Sequence, residues 1–230
     1  MNIEIVEFAE GAEMAEGLAV IIDVFRAFSV GCYAFDSGAT QIIATSEADE
    51  AFRLKKVCNN PVLIGERNER KIAGFDYGNS PTEILKANLQ GKTVIHTTTA
   101  GTRGLIKSVK ADTVITGSFV NAGAVVRYIR LLNPDKVSLV AMGYRAEISA
   151  DEDILCAQLI SDRLNDRVRV TDKDISALQY TSGKRFFNRS NMGFSPPTDF
   201  FLCTMTDRFN FVLKAVRRHD GNVSLLKTDI

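Results

Sequence analysis

The chain has 230 residues, 45% of them hydrophobic and 24% charged, enough to enclose a sizeable apolar core and to form a single domain over 1–230. Its 28 basic residues are matched by 28 acidic ones, which excludes a broad electrostatic field of the kind that draws proteins to nucleic acid or anionic membranes. No apolar run reaches the ~20 residues of a membrane span, and the opening stretch MNIEIVEFAEGAEMAEG lacks the basic flank and apolar centre of a secretory leader, so a cytoplasmic protein is expected.

In chain order, apolar runs recur at 18–23 (LAVIID), 41–45 (QIIAT), 61–65 (PVLIG), 92–99 (KTVIHTTT), 112–119 (DTVITGSF) and 136–143 (KVSLVAMG). Several are apolar throughout rather than alternating, as strands are when helices cover both faces of a mainly parallel sheet. The expected fold class is a three-layer α/β/α sandwich around a mainly parallel, mixed sheet. Between the runs, 46–58 (SEADEAFRLKKVC) reads as an amphipathic helix capped by Ser46, with Glu47 and Asp49 in its first turn. Residues 80–91 (SPTEILKANLQG) carry the same device: Ser80 as cap, Pro81 at the first helical position, Glu83 three residues after the cap and Gly91 as terminator. Residues 163–198 show no clear period. At 211–227 (FVLKAVRRHDGNVSLLK), Asp220 and Gly221 separate two strand-like runs, which predicts a closing β-hairpin. Cys32, Cys58, Cys156 and Cys203 have no paired spacing, so buried free thiols are expected rather than a zinc or dithiol centre.

In parallel sheets ligands bind beyond the carboxyl ends of the strands, where loops and helix N-termini converge. Asp23 ends the first apolar run, and Arg26 follows one turn into the next helix. The stretch after PVLI brings Glu66, Arg67, Asp76, Asn79 and Ser80. HTTTAGTRG offers Thr97, Thr98, Thr99, Gly101 and Thr102, a hydroxyl-rich loop suited to an oxyanion. Ser118 and Asn121 follow the next run, and Asp151, Glu152 and Asp153 open the last helix of the series. Carboxylates and anion donors at the same strand ends belong together around a divalent metal holding a phosphorylated ligand. Each residue also has a plainer reading: a strand-end Asp caps helices, and an Asp or Glu in a first turn complements the helix dipole. A dinucleotide enzyme is disfavoured, because DVFRAFSVG lacks the glycine fingerprint. His96 is read as packed or hydrogen-bonded. The basic residues from Arg163 to Arg189, Arg185 among them, are read as a solvated face.

The ordered series of motifs resembles the 2-phosphosulfolactate phosphatase family. Its D-V-L/F-R-A, G-F-D-x-G-N-S-P, T-T-x-x-G-T, G-S-F-x-N and E-D-x-x-C-A elements match 23–27, 74–81, 97–102, 117–121 and 152–157, and its C-terminal D-x-x-x-C-x-x-x-D-x-F pattern matches Asp199, Cys203, Asp207 and Phe209. One position departs: Ala100 precedes Gly101 where many members carry Asn. The resemblance implies a magnesium-dependent acid phosphatase that converts 2-phospho-3-sulfolactate to 3-sulfolactate and phosphate, a step toward coenzyme M. On this reading Asp23, Arg26 and Asp76 are catalytic, and Mg2+ is held among Asp23, Asp76, Glu152 and Asp153. Arg67, Asn79, Ser80, Thr98, Gly101, Thr102 and Asn121 bind the small phosphorylated substrate, with Arg67 meeting its sulfonate or carboxylate. Neither nucleic acid nor membrane is expected as a partner; a homo-oligomer is left open. Aspartate-nucleophile phosphatases carry a second Asp two residues after the first, where this chain has Phe25, so direct attack by water is expected.

Overall fold

The six apolar runs all form strands, because their β-branched side chains suit a pleated surface buried on both faces. A computed structural model describes residues 1–230 as β1 (Asn2–Glu7), α1 (Phe8–Met14), β2 (Leu18–Ile22), α2 (Ala27–Asp36), β3 (Gln41–Ala44), α3 (Ala48–Val57), β4 (Pro61–Arg67), β5 (Arg70–Lys71), α4 (Pro81–Ile84) and β6 (Thr93–Thr97). There follow α5 (Gly101–Lys107), β7 (Thr113–Gly117), α6 (Ala122–Leu132), β8 (Lys136–Ala141), α7 (Asp151–Leu164), α8 (Asp172–Ala177), α9 (Pro197–Thr204), β9 (Phe211–Arg217) and β10 (Val223–Asp229). The expected hairpin is β9–β10, turning through Gly221 at φ +82°.

All ten strands join one sheet in the order β1-β8-β2-β7-β9-β10-β3-β6-β4-β5. The strands β1, β8, β2 and β7 run parallel, as do β3, β6 and β4. The hairpin is spliced between these halves, antiparallel to both neighbours. From β7 to β3 the direction therefore reverses three times, so the two parallel halves run in opposite senses along the sheet. Yet Gly101, after β6, lies against the Asp23 carboxylate, after β2. Twist accumulated over so many strands curls the sheet until the carboxyl ends of its halves converge.

Alternation along the strands feeds cores on both faces. Ala19 and Ile21 of β2 face one cluster, which also takes Val140 from its own half and Ile42, Ile64 and Val94 from the other. Helix α2 fills that shared hollow, with residues 27 to 35 all buried. Leu18, Val20 and Ile22 face a second core under α6 and α7, while Ile43, Leu63 and Ile95 face a third under α3. Helices thus cover both faces, as the three-layer expectation required.

Local departures have physical causes. Glu47, not Ser46, caps α3, and without a side-chain bond. The helix expected over 80–91 is a single turn: Ser80 accepts from the Glu83 N–H, but the Glu83 carboxylate turns back to the Gly78 N–H (2.8 Å) and leaves the reciprocal half of the capping box unmade. Cys32, Cys156 and Cys203 are buried and Cys58 half-buried, all free, and burial pushes all four thiols up. The aperiodic stretch 163–198 holds α8 and short 3-10 turns.

Candidate active site

Asp23 follows the last residue of β2 and takes up the free end of α2. Its Oδ1 accepts the Ala27 N–H (3.0 Å), the work of a cap, although the backbone cap is Arg26. Its Oδ2 faces Gly101, where an added Cβ would lie 2.8 Å from that oxygen and 2.8 Å from the Ala27 Cβ. Only glycine lets the start of α5 come this close. Burial raises the Asp23 carboxyl to about 6; the Ala27 and Gly101 N–H groups pull it down, while Glu66 and Glu152 push it further up. Gly101→Ala should displace the carboxylate and lower activity about 100-fold with the fold retained, since a misplacement of about 1 Å has effects of that size; steady-state kinetics beside a melting curve would check this.

Asp153 stitches two strand-end loops together, accepting from the Val24 N–H on Oδ1 (2.8 Å) and the Gly143 N–H on Oδ2 (2.9 Å). Burial drives its carboxyl well above the ordinary range, and Glu152 and Asp23 add to the rise. Glu152 is only 5% exposed and its Oε2 has no hydrogen-bond partner. Burial raises Glu152 too, against the pull of Arg185. Glu66, at the end of β4, accepts from the Thr99 N–H (2.7 Å) and hydroxyl (2.9 Å) on Oε1 and from the Glu69 N–H (2.8 Å) on Oε2. Asp23, Glu66, Glu152 and Asp153, drawn from two strand ends and a helix start, line one cavity of about 460 Å³.

Of the residues expected from sequence, Asp23, Arg26, Asn79, Thr98, Glu152 and Asp153 line this cavity, and Gly101 backs Asp23. Five others lie elsewhere. Asp76 is exposed and accepts from the Leu63 N–H (2.8 Å) and Lys55 Nζ (3.1 Å), closing a turn against β4 outside the cavity lining. Arg67 spends its guanidinium on the Glu66 carbonyl (2.8 Å), the Ser46 carbonyl and Thr97 Oγ1 (3.0 Å), tying neighbouring strand ends together. Ser80 donates to Asp199 Oδ1 (2.8 Å). Thr102 exchanges hydrogen bonds with Thr98 across the first turn of α5. Asn121 accepts from the Ser118 N–H (3.0 Å) and donates to the Phe211 carbonyl (3.4 Å), joining the end of β7 to β9.

Arg26 reaches the cavity wall already committed: Nη1 donates to Asp199 Oδ2 (2.6 Å) and the Phe194 carbonyl (2.7 Å), and Nη2 to the Glu69 carbonyl (3.3 Å). Sequence reasoning missed Arg185. It is no solvated surface group but lines the cavity, paired with Glu69 Oε1 (2.7 Å) and donating to the Phe25 carbonyl (3.0 Å). Its segment lacks periodicity, so nothing local marked it. His96 is buried and held neutral, its pKa lowered to about 4 by burial, with Nε2 3.1 Å from Asn79 Oδ1.

Residues 3–215 match the family model described as 2-phosphosulpholactate phosphatase. A relative from Caldanaerobacter subterraneus subsp. tengcongensis, named a probable 2-phosphosulfolactate phosphatase, is 36% identical over 218 residues, covering 88% of this chain and 89% of its own. Relatives of the same name from Clostridium beijerinckii (37% over 180 residues, 75% of each chain) and Thermotoga petrophila (32% over 204 residues, 84% of this chain and 87% of its own) share the resemblance. With the strand-end carboxylates gathered and the match running nearly end to end, the chain belongs to the 2-phosphosulpholactate phosphatase family.

Proposed function

We propose that the chain is a magnesium-dependent phosphatase that hydrolyses 2-phospho-3-sulfolactate to 3-sulfolactate and phosphate in the cytoplasm, a step toward coenzyme M. The observation that carries this reading is the convergence of four buried carboxylates, one with an unpartnered oxygen, beside a guanidinium in a cavity of small-ligand size. A binder of anions alone would gain nothing from carboxylates there. Buried acids that raise one another's pKa call for a cation. The donors on offer are carboxylate oxygens, the ligand type magnesium takes, and one or two of them suffice because that ion keeps several waters. Asp23 and Glu152 would hold it: Glu152 Oε2 makes no hydrogen bond and Asp23 makes a full one on Oδ1 alone, whereas Asp153 and Glu66 accept backbone N–H groups on both oxygens.

When bound, magnesium supplies charge neutralisation at the phosphoryl oxygens. The chain's own groups do the rest. Asp23, held by the Ala27 N–H, has a pKa of about 6 in the metal-free chain and is ionised at neutral pH; a cation beside it would pull that value down and keep it a carboxylate, able to orient the attacking water. Phe25 packs edge-on to Phe186 (5.0 Å between centroids), so no acid stands where a phospho-aspartate route would need one. Thr98 and Asn79 border the space left for the substrate. The test is phosphate release from a panel of phosphorylated hydroxy acids, with magnesium and with chelator. Release only with magnesium and fastest from 2-phospho-3-sulfolactate is expected. Equal rates on unsulfonated phosphohydroxy acids would remove the substrate claim, and release unaffected by chelator would remove the metal.

The carboxylates also predict how stability depends on pH. Between the ordinary Asp range and about 6, folded Asp23 binds a proton that the unfolded chain does not, so its contribution to stability falls as pH rises through that window. Magnesium should therefore raise the melting temperature more at about pH 7 than at about pH 4.5, and Asp23→Asn should flatten the difference. A magnesium shift independent of pH would count against ligation by these carboxylates.

A further inference from the structure

We infer that Arg185 is the phosphoryl-binding arginine of the cavity and that Glu69 is the positioning residue that holds it. The identity of the anion rests on the phosphatase reading above.

Three arginines line the cavity. Arg26 is 3% exposed and bound to Asp199, the Phe194 carbonyl and the Glu69 carbonyl, so its charge is already matched inside the protein. Arg145 lies exposed at the rim, donating to Asn68 Oδ1 (2.7 Å) with its guanidinium over Tyr144. Arg185 differs from both. Glu69 Oε1 anchors its Nη1 and the Phe25 carbonyl its Nη2, and its Cζ lies 5.1 Å from the centre of the buried Phe186 ring. Its Nε is buried and has no partner. Native proteins rarely leave such a donor unmatched, and a bound ligand is a standard reason when they do.

A second orphan stands nearby. Glu152 Oε2 is likewise buried and makes no hydrogen bond of normal geometry, and the Arg185 charge, with the nearby and equally unpartnered Ser182 hydroxyl, acts on that carboxylate. One orphan lacks an acceptor and the other lacks a cation or donor. A phosphate ester arriving with a divalent cation satisfies both, the cation on the carboxylate and a phosphoryl oxygen on the guanidinium, and it also balances the two buried charges, which a neutral ligand does not. The group that Arg185 meets is therefore the phosphoryl group beside the carboxylate cluster. Glu69 is built to aim it: from the tip of the β4–β5 turn, at φ +67°, its N–H reaches Glu66 Oε2, its carbonyl accepts from Arg26 and its carboxylate takes Arg185. One residue thus links the carboxylate cluster to both inner arginines.

The test uses the full chain with magnesium and two readouts, calorimetric binding of inorganic phosphate and phosphate release. Arg185→Gln should weaken phosphate binding at least about tenfold and lower kcat about 100- to 1,000-fold, by the same factor on 2-phospho-3-sulfolactate and on phospholactate, which lacks the sulfonate. Arg185→Lys, which keeps the charge without the planar fork, should recover only part of either readout. Glu69→Ala should lower kcat about tenfold and Glu69→Gln should restore most of it, because an amide oxygen still accepts from Nη1. Arg167→Gln, at an exposed arginine away from the cavity, serves as the control. Phosphate binding by Arg185→Gln at native strength would overturn the proposal, as would a loss confined to the sulfonated substrate. A native chain that binds phosphate but hydrolyses no monoester would end the phosphatase reading while the binding comparison still decides Arg185; one that neither binds phosphate nor hydrolyses a monoester overturns both.

Discussion

Asp23→Asn should reduce phosphate release about 1,000-fold and leave the melting temperature at about pH 7 unchanged or higher, the activity loss being that of a removed carboxylate that orients the attacking water and holds the metal. Fold and turnover separate at this residue because Asp23 does two jobs with different demands. As a cap it needs only an oxygen facing the Ala27 N–H, and asparagine caps helices as well as aspartate does. As the group that orients water and as a ligand it needs the negative charge. Inside the cavity that charge opposes folding, since burial and the neighbouring Glu66 and Glu152 all disfavour it. Removing it relieves a buried repulsion in the metal-free chain. Steady-state release with magnesium, paired with thermal melting, checks both halves. A variant that keeps more than about a tenth of native activity would take Asp23 out of the chemistry, and a phospho-aspartate trapped from a quenched native reaction would replace water with Asp23 as the nucleophile.

What the sequence made legible, and what it did not, follows from how local each determinant is. The strands could be read because burial on both faces leaves unbroken apolar runs such as 18–22, and the hairpin because Asp220 and Gly221 suit the tight turn between β9 and β10. The curl of the sheet could not. It depends on where the hairpin is spliced into the strand order, which no window of residues records. The site divides the same way. Asp23, Glu152 and Asp153 sit at strand-end or helix-start positions where a carboxylate has few other places to point. Asp76 lies in an equally distinctive motif, but its partner is the backbone of Leu63 on the strand before it, and that hydrogen bond turns it outward. The partners of both arginines lie outside any local window: the Arg26 counter-ion, Asp199, is 173 positions away, and Arg185 read as solvated because its partners Glu69 and Phe25 lie 116 and 160 positions back.

Asp199→Ala should be the most destabilising single change at the site, lowering stability by about 3–5 kcal/mol because it strands a buried guanidinium. Asp199 is fully buried and serves three partners at once: Arg26 Nη1 on Oδ2 (2.6 Å), and Ser80 Oγ (2.8 Å) with the Thr82 N–H (3.0 Å) on Oδ1. One carboxylate thereby joins the starts of α2, α4 and α9. In the alanine variant Arg26, 3% exposed, keeps its charge with no counter-ion, and two further donors lose their acceptor. At roughly 2–4 °C per kcal/mol for a chain of this length, the melting temperature should fall about 10 °C or more. Asp199→Asn should fall less, because its amide oxygen still serves Ser80 and Thr82. The double change Arg26→Met with Asp199→Leu should recover much of the loss, since a buried ion pair exchanged for apolar groups leaves nothing uncompensated. That recovery separates a charge effect from lost packing. It also bears on the chemistry: if Asp199→Ala melts within a few degrees of the native chain, the Arg26 charge is not committed to the core, Arg26 regains its standing as the anion donor expected from sequence, and Arg185 loses the contrast that singles it out.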